Sequence, residues 1–163
     1  DPVHIKILKK NLEINNITNV NIQEKAVSDK AGTLDFIRVK GNTTGSHLAG
    51  SKTNPYGELD NFPVQVESFK EAIKGADFVK VDVEGHETKL ILSTEKDDWR
   101  KLDMIAEIGT AENARLIFNH FTKLEVNIFA QKIGWQKVSD LKDLPISHKE
   151  GSVFVSVKNE MSW

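Results

Sequence analysis

The sequence predicts an α/β fold, a mostly parallel sheet covered by helices on both faces. Three observations carry this reading. Short apolar runs of strand character, FVKV at 78–81, MIAEI at 104–108 and VFVSV at 153–157, alternate with segments whose apolar residues recur at helical spacing. Glycines punctuate those segments at Gly75, Gly85, Gly109 and Gly134. A chain of 163 residues with 39% hydrophobic and 28% charged content is enough for one domain, 1–163, with a core of its own.

The elements follow in order. Asp1 caps a helix, Pro2 suits its first position, and Ile5, Leu8 and Leu12 share a face that Asn15 and Asn16 end. Residues 20–27 read as a short strand, the cluster Ser28 to Gly32 as a turn, and 34–39 as a second strand. From 41 to 63 Gly, Ser, Thr and Asn dominate, with Pro55 and Pro63, which predicts a long loop able to cover a substrate. Val64 and Val66 mark a strand, and Ser68 caps a brief helix through Phe69, Ala72 and Ile73. Residues 77–83 form a strand with Val79, Val81 and Val83 on one face and Lys80 and Asp82 on the other. A helix carrying Leu90 to Leu92 comes next, then a buried strand at 104–108. Ala114, Ile117, Phe118, Phe121 and Leu124 mark a longer helix. Val126, Phe129 and Ile133 suit a second helical stretch, followed by a weak strand at 135–138 and a last strand at 153–157.

Composition excludes several classes. Lys plus Arg is 22 and Asp plus Glu is 24, a net charge of −2, which argues against a nucleic-acid partner. There is no cysteine, so a disulfide scaffold, a thiol nucleophile and a cysteine zinc site are all excluded. No apolar run is long enough to span a membrane. No secretion leader is visible, and a cytoplasmic location is the expectation. The stretch 45–53, GSHLAGSKT, has one residue too many before its lysine for a phosphate-binding loop.

Ligands of parallel sheets bind at the carboxyl ends of the strands, which directs attention to 77–87. There Asp82, Glu84, His86 and Glu87 converge in one strand-to-helix turn, with Gly85 allowing close backbone approach. Such a set can take a proton, hold a cation or orient a sulfonium group. The structural alternative is that Glu84 and Glu87 face the positive end of the next helix and His86 is solvated. Glu107, near the mouth of the following strand, and His47, expected to be exposed in the long loop, are candidate substrate contacts. His4, His120 and His148 have no evident partners and read as surface residues.

The run V-K-V-D-V-E-G-H-E at 79–87 resembles the signature of the FkbM-type methyltransferases, in which a strand ends in a D-x-E-G-x-E pattern. Asp1-Pro2 with Leu8, Asn11 and Asn15 resembles that family's opening helix. Ala26-Val27-Ser28-Asp29 with Gly32 resembles its third-strand turn, 64–69 its next strand and helix start, and 104–108 its fifth strand. The resemblance implies a Rossmann-like class I methyltransferase sheet in the order third, second, first, fourth, fifth, seventh, sixth, with an antiparallel last strand. It implies S-adenosylmethionine as cofactor and methyl transfer to a hydroxyl oxygen of a small-molecule or glycan acceptor, such as a sugar or secondary metabolite. Asp82 would lie near the donor methyl and be the first candidate for proton acceptor, with His86 and Glu84 as the others, and Val27, Ser28 and Asp29 would meet the adenine.

The chain departs from the pattern in two respects. Lys70 stands where the family has an aspartate. The glycine-rich turn and the ribose-binding acid of the family precede its opening helix and are not among these residues. The expectation is therefore the carboxyl-terminal part of the fold, with an open edge beside strand 77–83 through which copies of the chain could associate. A non-catalytic remnant or binding module is the alternative reading, and a hydrolytic metal site at Asp82, Glu84 and His86 is a third.

Overall fold

The computed structural model describes residues 1–41, 45–51, 57–83 and 85–161. Helix α1 (Pro2–Ile14) begins as its sequence dictates, with Asp1 accepting the Val3 N–H at 2.8 Å. The same carboxylate receives the Arg38 guanidinium as a fork, at 2.7 and 2.8 Å. Arg38 lies on β2 (Gly32–Val39), so this pair ties helix to strand. No residue of α1 is buried.

Two mixed sheets replace the single, mostly parallel one that the sequence predicts. The first contains β1 (Ala26–Ser28), β2, β3 (His47–Leu48) and β4 (Leu59–Ser68) in the order β1-β4-β2-β3. Here β1 and β4 are parallel, whereas β2 runs antiparallel to both β4 and β3. The second contains β5 (Phe78–Val81), β6 (Asp103–Glu107), β7 (Asn127–Ala130), β8 (Gln136–Lys137) and β9 (Ser152–Ser156) in the order β5-β6-β9-β7-β8. Its parallel pair is β5 and β6, and β9 inserts antiparallel between β6 and β7. The alternation of strands and helices led the sequence reading to parallel pairing. Antiparallel returns through β2 and β8 account for the difference, whereas the last strand, β9, is antiparallel as expected. Strands β1 and β5 each occupy an edge of their own sheet.

Three local expectations are corrected. The strand expected from residue 20 starts only at Ala26, where β4 first offers a partner at Val66, and Val20 stays half exposed. The expected loop at 41–63 gives way to β3 and to the first half of β4. Phe62, Val64 and Val66 alternate inward along β4, and the strand runs through Pro63. Proline is tolerated there because β1 covers the other side of β4 only from Val66 onward. Most of the helix expected at 126–133 is instead strand β7, which lies between β9 and β8, and only Gln131–Ile133 form a helical turn, of the 3-10 type. Helix α4 (Ala111–Leu124) stops at Glu125 in the left-handed region (φ 56°), and Ile128 and Phe129 both become buried in the sheet.

The core sits on the second sheet. Val81, Met104, Ala106, Ile128, Ala130, Val153 and Val155 supply the strand side. Helix α3 (Glu87–Leu92) adds Leu90 and Ile91, and α4 adds Ala114, Ile117 and Phe121. Trp99 meets Phe121 edge to face at 5.0 Å and donates its indole N–H to Thr94 Oγ1 at 3.0 Å. A short helix α2 (Phe69–Ala72), capped by Ser68, contributes Phe69. This packed layer fixes the start of α3 against the carboxyl end of β1, where the candidate site lies. No helix among the described residues is long and apolar enough to cross a membrane.

Candidate functional site

The turn between β5 and α3 is built from within. Glu87 is buried and its Oε1 accepts the N–H groups of Val83 (3.1 Å) and Gly85 (3.2 Å), closing the loop that its own helix begins. Gly85 has φ +95°, and a Cβ there would sit 3.1 Å from the Ser51 carbonyl oxygen. Glycine is therefore required by conformation and by contact alike.

With Glu87 holding the backbone, His86 at the helix start makes no cap bond and turns its ring toward the end of β1 and the turn after β3. It is 7% exposed. Nε2 lies 2.9 Å from Ser28 Oγ at the end of β1, and Nδ1 lies 2.9 Å from Ser51 Oγ just after β3. Ser28 Oγ donates to Asp29 Oδ1 at 2.9 Å, and the Lys89 ammonium, one turn into α3, pairs with the same oxygen at 3.1 Å. The direction of these bonds sets the tautomer. Because the Ser28 hydroxyl proton goes to Asp29, Ser28 accepts from Nε2–H, and Nδ1 accepts from the Ser51 hydroxyl. The chain Ser51–His86–Ser28–Asp29 thus runs continuously from a surface cleft to a carboxylate.

Electrostatics agree with that direction. Burial lowers the His86 pKa below its ordinary value and Lys89 adds to the effect, with Asp29 and Glu87 opposing, so the ring is neutral at pH 7. For Asp29, partial burial acts upward, but the Ser28 hydroxyl and the Lys89 ammonium outweigh it and hold the carboxyl below its ordinary value.

Of the residues expected at the site from sequence, Ser28, Asp29 and His86 come together here. Val27 points into the core beside them. Glu84 lies outside the described residues. Asp82 is elsewhere: its carboxylate, 54% exposed, pairs with Lys80 at 2.5 Å. Lys80 and Asp82 line a small recess with Glu107 at the carboxyl ends of β5 and β6. Asp82 holds the Lys80 ammonium above its ordinary value, and Glu107 contributes at longer range. Glu107 also pairs with His148 at 3.1 Å, so His148 has the partner that the sequence did not reveal.

His47 is corrected from exposed to buried. It lies at 2% exposure on β3, with Nδ1 2.8 Å from the Gly45 carbonyl and Nε2 without a partner among the described residues. Pairing of β3 with Phe36 and Ile37 of β2 carries it inward. His120 is partly buried beside Thr94, and burial, then Lys123, lowers its pKa.

Ser51 and Lys89 were missed. Ser51 is 35 positions from His86, and nothing in its local sequence marks the pairing. Lys89 reads as a solvated helix residue until β1 is placed against α3. Among the described residues no group of three or more His, Asp or Glu side chains is arranged to hold a metal ion. Comparison with family models, curated proteins and solved structures returns no match.

Proposed function

We propose that these residues belong to an S-adenosylmethionine-dependent methyltransferase acting on a hydroxyl oxygen, with a sugar or secondary-metabolite alcohol as acceptor. The single observation that carries this reading is the meeting of Ser28 and Asp29, at the end of β1, with His86, in the turn after β5. The two motifs of the FkbM resemblance are 58 positions apart at Ser28 and His86, and they share one hydrogen-bonded chain. A second feature agrees. The order β5-β6-β9-β7, with β9 antiparallel, is the order that the resemblance implies for fourth, fifth, seventh and sixth strands.

The donor set suits part of the cofactor. Ser28 and Lys89 both bind Oδ1 of Asp29, which leaves Oδ2 with no side-chain partner among the described residues and able to accept from an exocyclic amine or a hydroxyl. Ser28 and Asp29 would hold the adenine end. When bound, the cofactor supplies an electrophilic methyl carbon on a sulfonium. His86 is neutral near pH 7, and its Nδ1 takes the proton of an acceptor hydroxyl that replaces Ser51 there. Nε2–H stays anchored on Ser28, which holds the ring in place as charge develops. Asp82, paired with Lys80 in a recess apart from this cleft, takes no part in the proton transfer.

Calorimetry with S-adenosylhomocysteine on the polypeptide that carries this chain tests the reading. Saturable heat is expected, weakened about tenfold, or ~1.4 kcal/mol, by Asp29→Asn. No heat from the folded protein would overturn it.

A further inference from the structure

We propose that Ser51 is a nucleophile, activated by His86, that accepts acyl groups from short-chain carboxylic esters. This activity uses no methyl donor, and it stands or falls separately from methyl transfer.

The geometry meets the requirements for such a residue. A nucleophilic serine needs its hydroxyl on a neutral base, and the base needs its far nitrogen fixed by a third group. Ser51 Oγ is 2.9 Å from His86 Nδ1, and Nε2 is held by Ser28 at 2.9 Å. Ser28 is in turn held by the ionised Asp29 at 2.9 Å. The carboxylate orients the ring through an intervening hydroxyl. The tautomer that this chain enforces places the unprotonated nitrogen on Ser51.

Ser51 also faces open space. A cleft of about 380 Å³ lies between the turn after β3 and the start of α3, and both Ser51 and His86 line it. Gly50 and Gly85, both with positive φ, place backbone and no side chain beside the hydroxyl. Ala49 and Leu92 give the cleft an apolar wall suited to a short acyl chain. Among the described residues Lys89 is the charged side chain lining it, and its ammonium, held by Asp29 at 3.1 Å, adds positive potential to the cleft. Thr88, on the same wall, carries a buried Oγ1 with no partner among the described residues.

The step balances as follows. Ser51 Oγ bonds to the acyl carbon as its proton passes to His86 Nδ1. The bond to the alkoxy oxygen breaks, and that oxygen leaves as an alcohol with the proton from Nδ1. Water then gives a proton to Nδ1 and its oxygen to the acyl carbon, and Ser51 leaves with the proton restored. The products are one carboxylic acid and one alcohol.

The test is labelling of the whole chain with an alkyl fluorophosphonate, with the modified residue located by peptide mass spectrometry, alongside turnover of p-nitrophenyl acetate. The expected result is a single adduct on Ser51, formed about 100-fold more slowly in His86→Gln. Ester turnover should be lost in Ser51→Ala. The wild-type labelling rate should rise with pH through an inflection below the ordinary histidine value of about 6.5. Burial is the main cause of this inflection, and among the described residues the charged groups acting on His86 are Lys89, which lowers it further, and Asp29 and Glu87, which oppose. The pH profile needs no variant, so it decides the matter even where His86→Gln fails to fold. Folded protein with Ser51 unmodified, an equal labelling rate in a folded His86→Gln, or a rate without the inflection would each overturn the proposal.

Discussion

Nε2 of His86 lies 2.9 Å from Ser28 Oγ, and this one hydrogen bond joins the turn after β5 to the carboxyl end of β1. The two strands belong to different sheets. Both partners are buried, so neither recovers its bond from water when the other is removed.

Ser28→Ala should therefore cost about 1–3 kcal/mol, because it strands a buried N–H. Urea denaturation of wild type, Ser28→Ala, His86→Gln and the double variant checks this. The account expects the double variant to be less destabilised than the sum of the singles. Simple additivity would mean that the two side chains do not act on one another.

The pH dependence has a definite sign. The folded-state pKa of His86 is depressed, so the unfolded chain binds its proton first on acidification. The associated stability is intact above the unfolded value of about 6.5 and is lost as pH falls from there through the folded value. His120 acts in the same direction. Thermal unfolding followed from pH 7.5 down to pH 5 should show a falling midpoint in wild type and a shallower fall in His86→Gln. Parallel curves would contradict the assignment.

Gly85→Ala should destabilise by about 1–3 kcal/mol, since alanine at φ +95° is strained and its Cβ meets the Ser51 carbonyl. Gly75→Ala, with a similar φ and open space around it, gives a control for the conformational part alone. If the Gly85 variant costs no more than the Gly75 variant, then the contact with Ser51 is not a close one.

Much of the second sheet was legible because its signals are local. The alternation of Val79 and Val81, the run 104–108 and the helical face from Ala114 to Phe121 need no distant partner to be read. Strand β7 was not legible, since Val126, Phe129 and Ile133 fit helical spacing as well as they fit a strand, and only pairing with β9 and β8 decides. Pro63 was read as a breaker because the one-sided pairing of β4 is a tertiary fact. At the site, Ser28, Asp29 and His86 were found through a motif, which is a property of sequence. Ser51 and Lys89 enter only by folding, through bonds across 35 and 60 positions respectively.

The most direct test of the central claim is methyl transfer itself. The polypeptide carrying these residues is incubated with S-adenosylmethionine and a panel of sugar and small alcohol acceptors, and S-adenosylhomocysteine is quantified for wild type and a folded His86→Gln variant. The account predicts acceptor-dependent product in wild type and a rate about 10²–10⁴-fold lower in the variant. Equal rates in the two proteins, or no product with any hydroxyl acceptor from a protein that binds the cofactor, would contradict it.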